Sequence, residues 1–144
     1  MTETRDREAA YRQLRSDAER IWTAALTAVQ PDRAVRRALE KASLTGRLHL
    51  VAIGKAAWPM ANAVQKVLGD AILDGVVITK YDHSRGTIGN LRIFEAGHPV
   101  PDENSYRATR AAMELVTPLG AEDTVLFLVS GGGSAQEHPL WQCS

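Results

Sequence analysis

The hydrophobic positions along this chain change their period several times, and each change marks a different element. Over residues 5–29, Leu14, Ala18, Ile21, Trp22, Ala25, Leu26 and Val29 recur at helical spacing, with Arg15, Asp17, Glu19 and Arg20 mainly on the other face. That pattern predicts a long amphipathic helix. It stops before Pro31, because proline disfavours helical geometry in the preceding residue, and a second helix starts there. Its apolar face is Val35, Ala38, Leu39 and Ala42. Arg33, Arg36, Arg37 and Lys41 take the remaining positions, so a solvated face explains them more simply than a binding surface does.

Residues 43–46 read as a turn into a strand at 48–53, apolar at nearly every position, as in a parallel strand covered on both faces. Residues 56–68 return to helical period, with Pro59 in the first turn, Met60, Ala61, Val64, Val67 and Leu68 inward, and Gly69 as the stop. A second short strand at 75–79 leads into a polar, glycine-bearing loop at 80–90, and a less buried strand follows at 91–96. Pro99 and Pro101 stiffen the next loop. Asp102 or Asn104 caps a helix running to about Val116, and residues 124–129 form the most apolar strand in the chain. The unit that recurs is strand then helix. It predicts an α/β fold, a largely parallel sheet with helices on both faces and the long amino-terminal helices laid against it.

Candidate chemistry collects where strands end. The first strand delivers Gly54 and Lys55, the second delivers Lys80, and the last delivers Ser130, Gly131, Gly132, Gly133 and Ser134. In open α/β sheets ligands bind beyond the carboxyl ends of strands, and a lysine there meets a phosphate or carboxylate. Glycines without side chains let backbone N–H groups approach phosphate oxygens. The stiff loop brings in His98 and Asp102, either beside a substrate or as a mere corner before the helix. His83 fits an ordinary surface histidine, and Trp58 fits packing against the sheet better than lining a nucleotide site.

Composition narrows the partner. Lys+Arg and Asp+Glu are equal at 17 each in 144 residues, so no net field draws the chain to nucleic acid or to an acidic membrane, and a small molecule is expected. Cys143 is the single cysteine, which leaves no internal disulfide, and no Cys/His set has zinc-ligand spacing, so no metal site is expected. The first residues alternate charges where a signal peptide needs an apolar core, and no apolar run reaches membrane-spanning length. A cytoplasmic location is expected. A Walker A loop fails at His49 and Ala56, and a dinucleotide fingerprint beginning at Gly131 fails at Gln136. Glycines and lysines without either motif suit phosphoryl transfer, where the protein mainly positions groups and neutralises charge.

Residues 51–57 (Val-Ala-Ile-Gly-Lys-Ala-Ala), 77–81 (Val-Ile-Thr-Lys-Tyr), 95–102 (Glu-Ala-Gly-His-Pro-Val-Pro-Asp) and 128–135 (Leu-Val-Ser-Gly-Gly-Gly-Ser-Ala) resemble, in order and spacing, the glycerate 2-kinase family. That family has a second domain called MOFRL, and many members carry the name hydroxypyruvate reductase. The resemblance runs from the first helix to Ala135. It implies a larger Rossmann-like domain and ATP-dependent phosphorylation of D-glycerate to 2-phosphoglycerate, with Mg2+ as the usual metal. It also implies that Lys55 is the active-site lysine, that residues 130–134 bind phosphate, and that Lys80, His98 and Asp102 lie by the substrate.

Two departures accompany it. Asp82 stands where the family has glycine, and residues 136–144 (Gln-Glu-His-Pro-Leu-Trp-Gln-Cys-Ser) replace a leucine- and proline-bearing continuation. The expectation is that residues 1–135 are the amino-terminal part of the nucleotide and substrate domain, that 136–144 are a non-family tail, and that MOFRL is absent. Such a truncated chain would be inactive alone and would expose apolar surface on its last strand. Two alternatives stand beside the kinase: an oxidoreductase acting on hydroxypyruvate, and a non-catalytic fragment that binds phosphate or nucleotide.

Overall fold

The computed structural model describes residues 2–133. In chain order the elements are α1 (Thr2–Ala28), α2 (Pro31–Leu39), β1 (Arg47–Ile53), α3 (Ala57–Leu68), β2 (Ile72–Lys80), β3 (Leu91–Ala96), α4 (Glu103–Val116) and β4 (Asp123–Val129). The four strands form one parallel sheet in the order β3-β2-β1-β4. The second strand is longer than its apolar stretch suggested, because a short 3-10 turn at Gly69–Ala71 lets pairing begin at Ile72.

Alternation along β1 divides the core. Leu48, Leu50 and Ala52 face one side and pack with Ala57, Ala61 and Val64 of α3, while Val51 and Ile53 join Val76 and Ile78 of β2 on the other. There Ala108, Ala111, Ala112 and Leu115 of α4 close the layer. Each fully buried side chain such as Leu50 or Ile78 contributes about 2 kcal/mol through removal from water. Helices thus cover both faces. Because β2 and β3 build outward from one side of β1 and β4 returns to the other side, the strand order reverses between β1 and β4. Where order reverses, the loops leaving the two strands diverge and open a crevice at their carboxyl ends.

One expectation is corrected. α1 is helical, yet Leu14, Ile21, Trp22, Leu26 and Val29 are exposed, Trp22 at 65%, and the helix does not lie on the sheet. The adjoining face is already taken by α3, and α2 packs on α3, burying Val35 and partly burying Leu39. Helical period shows that a helix has an apolar face, and says nothing of what covers it. No helix among the described residues is long and apolar enough to cross a membrane.

β4 is apolar but sits at the edge of the sheet. Leu126 and Leu128 pack partly against the α3 layer and Val125 against the α4 layer, while Phe127 and Val129 remain exposed at 59% and 70%.

At the amino ends of the strands a polar knot replaces apolar packing. β2 carries one extra residue opposite the Leu48–His49 step, which brings Asp74 beside His49. His49 Nδ1 lies 2.5 Å from Asp74 Oδ1 and its Nε2 lies 3.3 Å from Asp123 Oδ1. Arg47 grips Asp123 with both ends of its fork, at 2.7 and 3.0 Å, and the Gly120 amide donates to Asp123 Oδ2 at 2.8 Å. The Arg47 bond and the Gly120 amide hold the Asp123 carboxyl down at about 2, against the effect of burial. For His49, burial disfavours the charged ring, but the bonds to Asp74 and Asp123 outweigh it and raise its pKa. A depressed carboxyl stabilises the fold above its unfolded pKa and loses that contribution as pH falls through about 2. A raised imidazole acts the other way, contributing fully below about 6.5 and fading as pH climbs through its folded value. Urea unfolding across a pH series should therefore show stability declining as pH rises from about 6.5 upward, and His49→Gln should flatten that decline. An unchanged slope in the variant would remove His49 as its source.

Candidate functional site

The carboxyl ends of β1 and β4 are joined beyond the strands themselves. The Ser130 amide donates to the Ile53 carbonyl at 2.9 Å, and the Lys55 amide donates to the Gly131 carbonyl at 3.0 Å, so the ladder continues into both loops. Gly54 makes this possible. Its φ is 111°, and a Cβ there would overlap the Ser130 hydroxyl and carbonyl oxygens. The Thr79 hydroxyl, buried in β2, donates to the Gly54 carbonyl at 3.1 Å and fixes the turn from the other flank. The Ser130 hydroxyl accepts from the Ala56 amide at 2.9 Å, capping the start of α3 where Ala56 has no side-chain oxygen to offer.

These bonds place Lys55 over the glycine turn. A Cβ on Gly132, whose φ is 88°, would lie 3.3 Å from Lys55 Cε and 3.0 Å from His98 Cε1, so the lysine stem and the imidazole meet at that bare backbone. Gly133 is buried against Ile53, while Ser134, the last member of the expected loop, lies outside the described residues. Lys80, at the end of β2, is half-buried, and His83 donates from Nδ1 to the Lys55 carbonyl at 3.1 Å. Burial first, and then the charges of Lys55, Lys80 and His83, push the His98 pKa down. Its Nδ1 is buried without a hydrogen-bond partner. The result is a cationic patch around a glycine turn, on the crevice where strand order reverses.

Asp102 is placed differently from the lysines. Its Oδ1 accepts from the Gly97 and Ser105 amides at 3.2 and 3.0 Å, in a capping box that starts α4. Its Oδ2 accepts from the Tyr81 hydroxyl at 2.6 Å, and Asn104 donates to the Tyr81 oxygen at 2.7 Å. The Tyr81 bond leads the set of donors that lowers the Asp102 pKa. Of the two roles open to it, holding the His98 loop is the one its bonds display. Trp58 packs on the α3 layer and donates to the Gly86 carbonyl at 2.9 Å, while the Ser84 hydroxyl and amide bind Glu95 at 2.7 and 2.9 Å. Both ties pin the loop after β2. Asp82, the departure from glycine, has φ 63°, a left-handed conformation that aspartate tolerates better than most residues do.

The role of Tyr81, the capping role of Ser130 and the His83 bond to Lys55 are not legible in the sequence. The signal for Tyr81 was its place directly after Lys80; the other two depend on contacts between distant residues. Among the described residues no three His, Cys, Asp or Glu side chains converge as a metal site would require.

A model of the family described as "Domain of unknown function (DUF4147)" matches residues 17–139. The chain belongs to this family. It is 58% identical over 116 residues to a D-glycerate 2-kinase of Thermotoga maritima, an alignment covering 80% of this chain and 28% of that protein. The crystal structure of a glycerate kinase from Thermotoga maritima superposes with a TM-score of 0.84 at 53% identity, covering 88% of this chain and 30% of that one. An Agrobacterium vitis protein that carries a hydroxypyruvate reductase name is 41% identical over 116 residues, 81% of this chain and 26% of that protein. The resemblance to glycerate 2-kinases and the α/β architecture are thus borne out, and the chain spans less than a third of the length of these relatives.

The junction yields a structural test. Gly54→Ala should lower unfolding free energy by at least about 2 kcal/mol, since the added methyl meets the Ser130 backbone, whereas Ser130→Ala should cost about 1 kcal/mol for the lost cap. Denaturant titration checks the ranking; equal costs would deny the close approach its importance.

Proposed function

We propose that this chain carries the phosphate-holding part of a site for ATP-dependent phosphorylation of D-glycerate at its 2-hydroxyl, giving 2-phosphoglycerate and ADP. The observation that carries the reading is the meeting of Lys55 with Gly132 at the strand-order reversal, in a chain similar to a D-glycerate 2-kinase. ATP, when bound, supplies the phosphoryl group. Lys55, exposed and able to reach over the turn, offers a point charge to phosphate oxygens, and Gly131 to Gly133 offer approachable backbone. Lys80 adds to the same positive field from β2. Neutralising charge spread over a transferring phosphoryl group is the chief task of a protein in this chemistry.

Among the described residues no group of three His, Cys, Asp or Glu side chains could hold a metal ion, and none of them is given a role toward Mg2+. In this reading residues 1–135 form the amino-terminal part of the nucleotide and substrate domain, and turnover draws on the further length that the relatives possess. The partner is a small anion, and the even charge balance supports no role for nucleic acid or an acidic membrane. A cytoplasmic location accords with such a substrate.

Calorimetry of ATP binding tests this. Lys55→Ala should weaken binding about tenfold while the circular dichroism spectrum is retained, and the parent affinity should fall as salt is added. Equal affinity in parent and variant would defeat the assignment of Lys55. NADH oxidation with hydroxypyruvate by the parent chain would point instead to the oxidoreductase reading.

A further inference from the structure

Buried polar atoms in a native fold are paired in all but a few cases, and each exception asks for an explanation. Among the described residues one buried side-chain nitrogen has no partner, His98 Nδ1. It lies at the cationic crevice and against Gly132, whose missing side chain leaves the ring edge beside backbone alone. The loop that carries it is held firmly: the Gly97 amide is tied to Asp102, and Asp102 to Tyr81 and Ser105. The imidazole is therefore held in place, and the exposed Lys55 stem that meets it at Gly132 is the group whose movement opens Nδ1 to a ligand.

The groups that face it share one sign. Lys55 from the end of β1, Lys80 from the end of β2 and His83 from the following loop all act on His98, and among the described residues the turn after β4 adds Ser130 and glycines. Asp102, the carboxylate that caps α4, is occupied by Tyr81, Gly97 and Ser105. A cation added to this set is repelled unless an anion comes with it. A phosphate chain lying over the glycine turn would supply both a hydrogen-bond acceptor for the orphaned nitrogen and the charge that makes a protonated ring favourable.

We propose that His98 is the proton-linked member of this site, its Nδ1 donating to an oxygen of a bound polyphosphate and its ring gaining a proton as that anion binds. The inference rests on the phosphate-site reading above and adds to it a specific residue, a specific nitrogen and a coupled proton. The proton comes from solvent, and no covalent bond changes. Anion affinity then strengthens as pH falls through the range in which the ring charges.

The test uses inorganic tripolyphosphate and the full chain labelled with 15N. Histidine ring spectra followed between about pH 5 and 8 give the His98 midpoint and identify which nitrogen carries the proton. With tripolyphosphate present the midpoint should rise by about one pH unit, with Nδ1 in the hydrogen-bonded, protonated form. His98→Gln should bind tripolyphosphate with an affinity that no longer tightens toward low pH to the parent's extent. Binding that moves the Lys55 and Gly132 amide signals but leaves the His98 midpoint fixed would overturn this inference and leave the phosphate site standing. No binding at all would overturn both.

Discussion

Everything at the carboxyl rim depends on one close approach, the passage of Gly54 against Ser130. It lets two neighbouring strands go on exchanging hydrogen bonds after their regular pairing ends, so the loops that leave them in divergent directions are clamped at their roots. A lysine on a free loop would sample a wide volume. Here the Lys55 amide is fixed to Gly131, its carbonyl is bound by His83, and only the side chain remains to move. That arrangement reduces the conformational entropy lost when an anion is gripped. The serine hydroxyl steadies the start of the following helix, where it accepts from the Ala56 amide.

The two rims of the sheet are chemically opposed. At the amino rim, Asp74 and Asp123 surround His49 and favour its charged form, and Arg47 balances the cluster. At the carboxyl rim, burial first and then the charges of Lys55, Lys80 and His83 disfavour the charged form of His98. The same side chain is thus set to opposite protonation tendencies by its surroundings. The first arrangement satisfies itself and ties three strands together; the second has a surplus of positive charge and an unpaired nitrogen, which is what a site for an anion requires.

The strands and helices were largely legible because their periods are clean: β1 is apolar on both faces since helices cover both, and α4 is capped by Asp102 as the sequence implies. What stood at strand ends could also be read, since a parallel sheet puts Lys55, Lys80 and Ser130 to Gly133 at one rim whatever the strand order. The order itself could not be read. Nothing local says that β4 returns beside β1 rather than β3, yet that choice makes the crevice. The pairing of His49 is hidden for a similar reason, because its partners lie 25 and 74 residues away and meet it only through sheet register and an extra residue in β2. The position of α1 is not legible either, since an apolar stripe does not name the surface that covers it, and the face of the sheet is taken by α3.

The indole of Trp58 is anchored to Gly86, in the same loop that brings His83 to Lys55, whereas Trp22 stands in water on α1. These two chromophores therefore inhabit environments of different polarity, and in a Trp141→Phe variant, which removes the third tryptophan, their emission should separate by wavelength and by accessibility to a dissolved quencher. The blue-shifted component is an intrinsic optical gauge of the loop beside the cationic crevice, present without any introduced label.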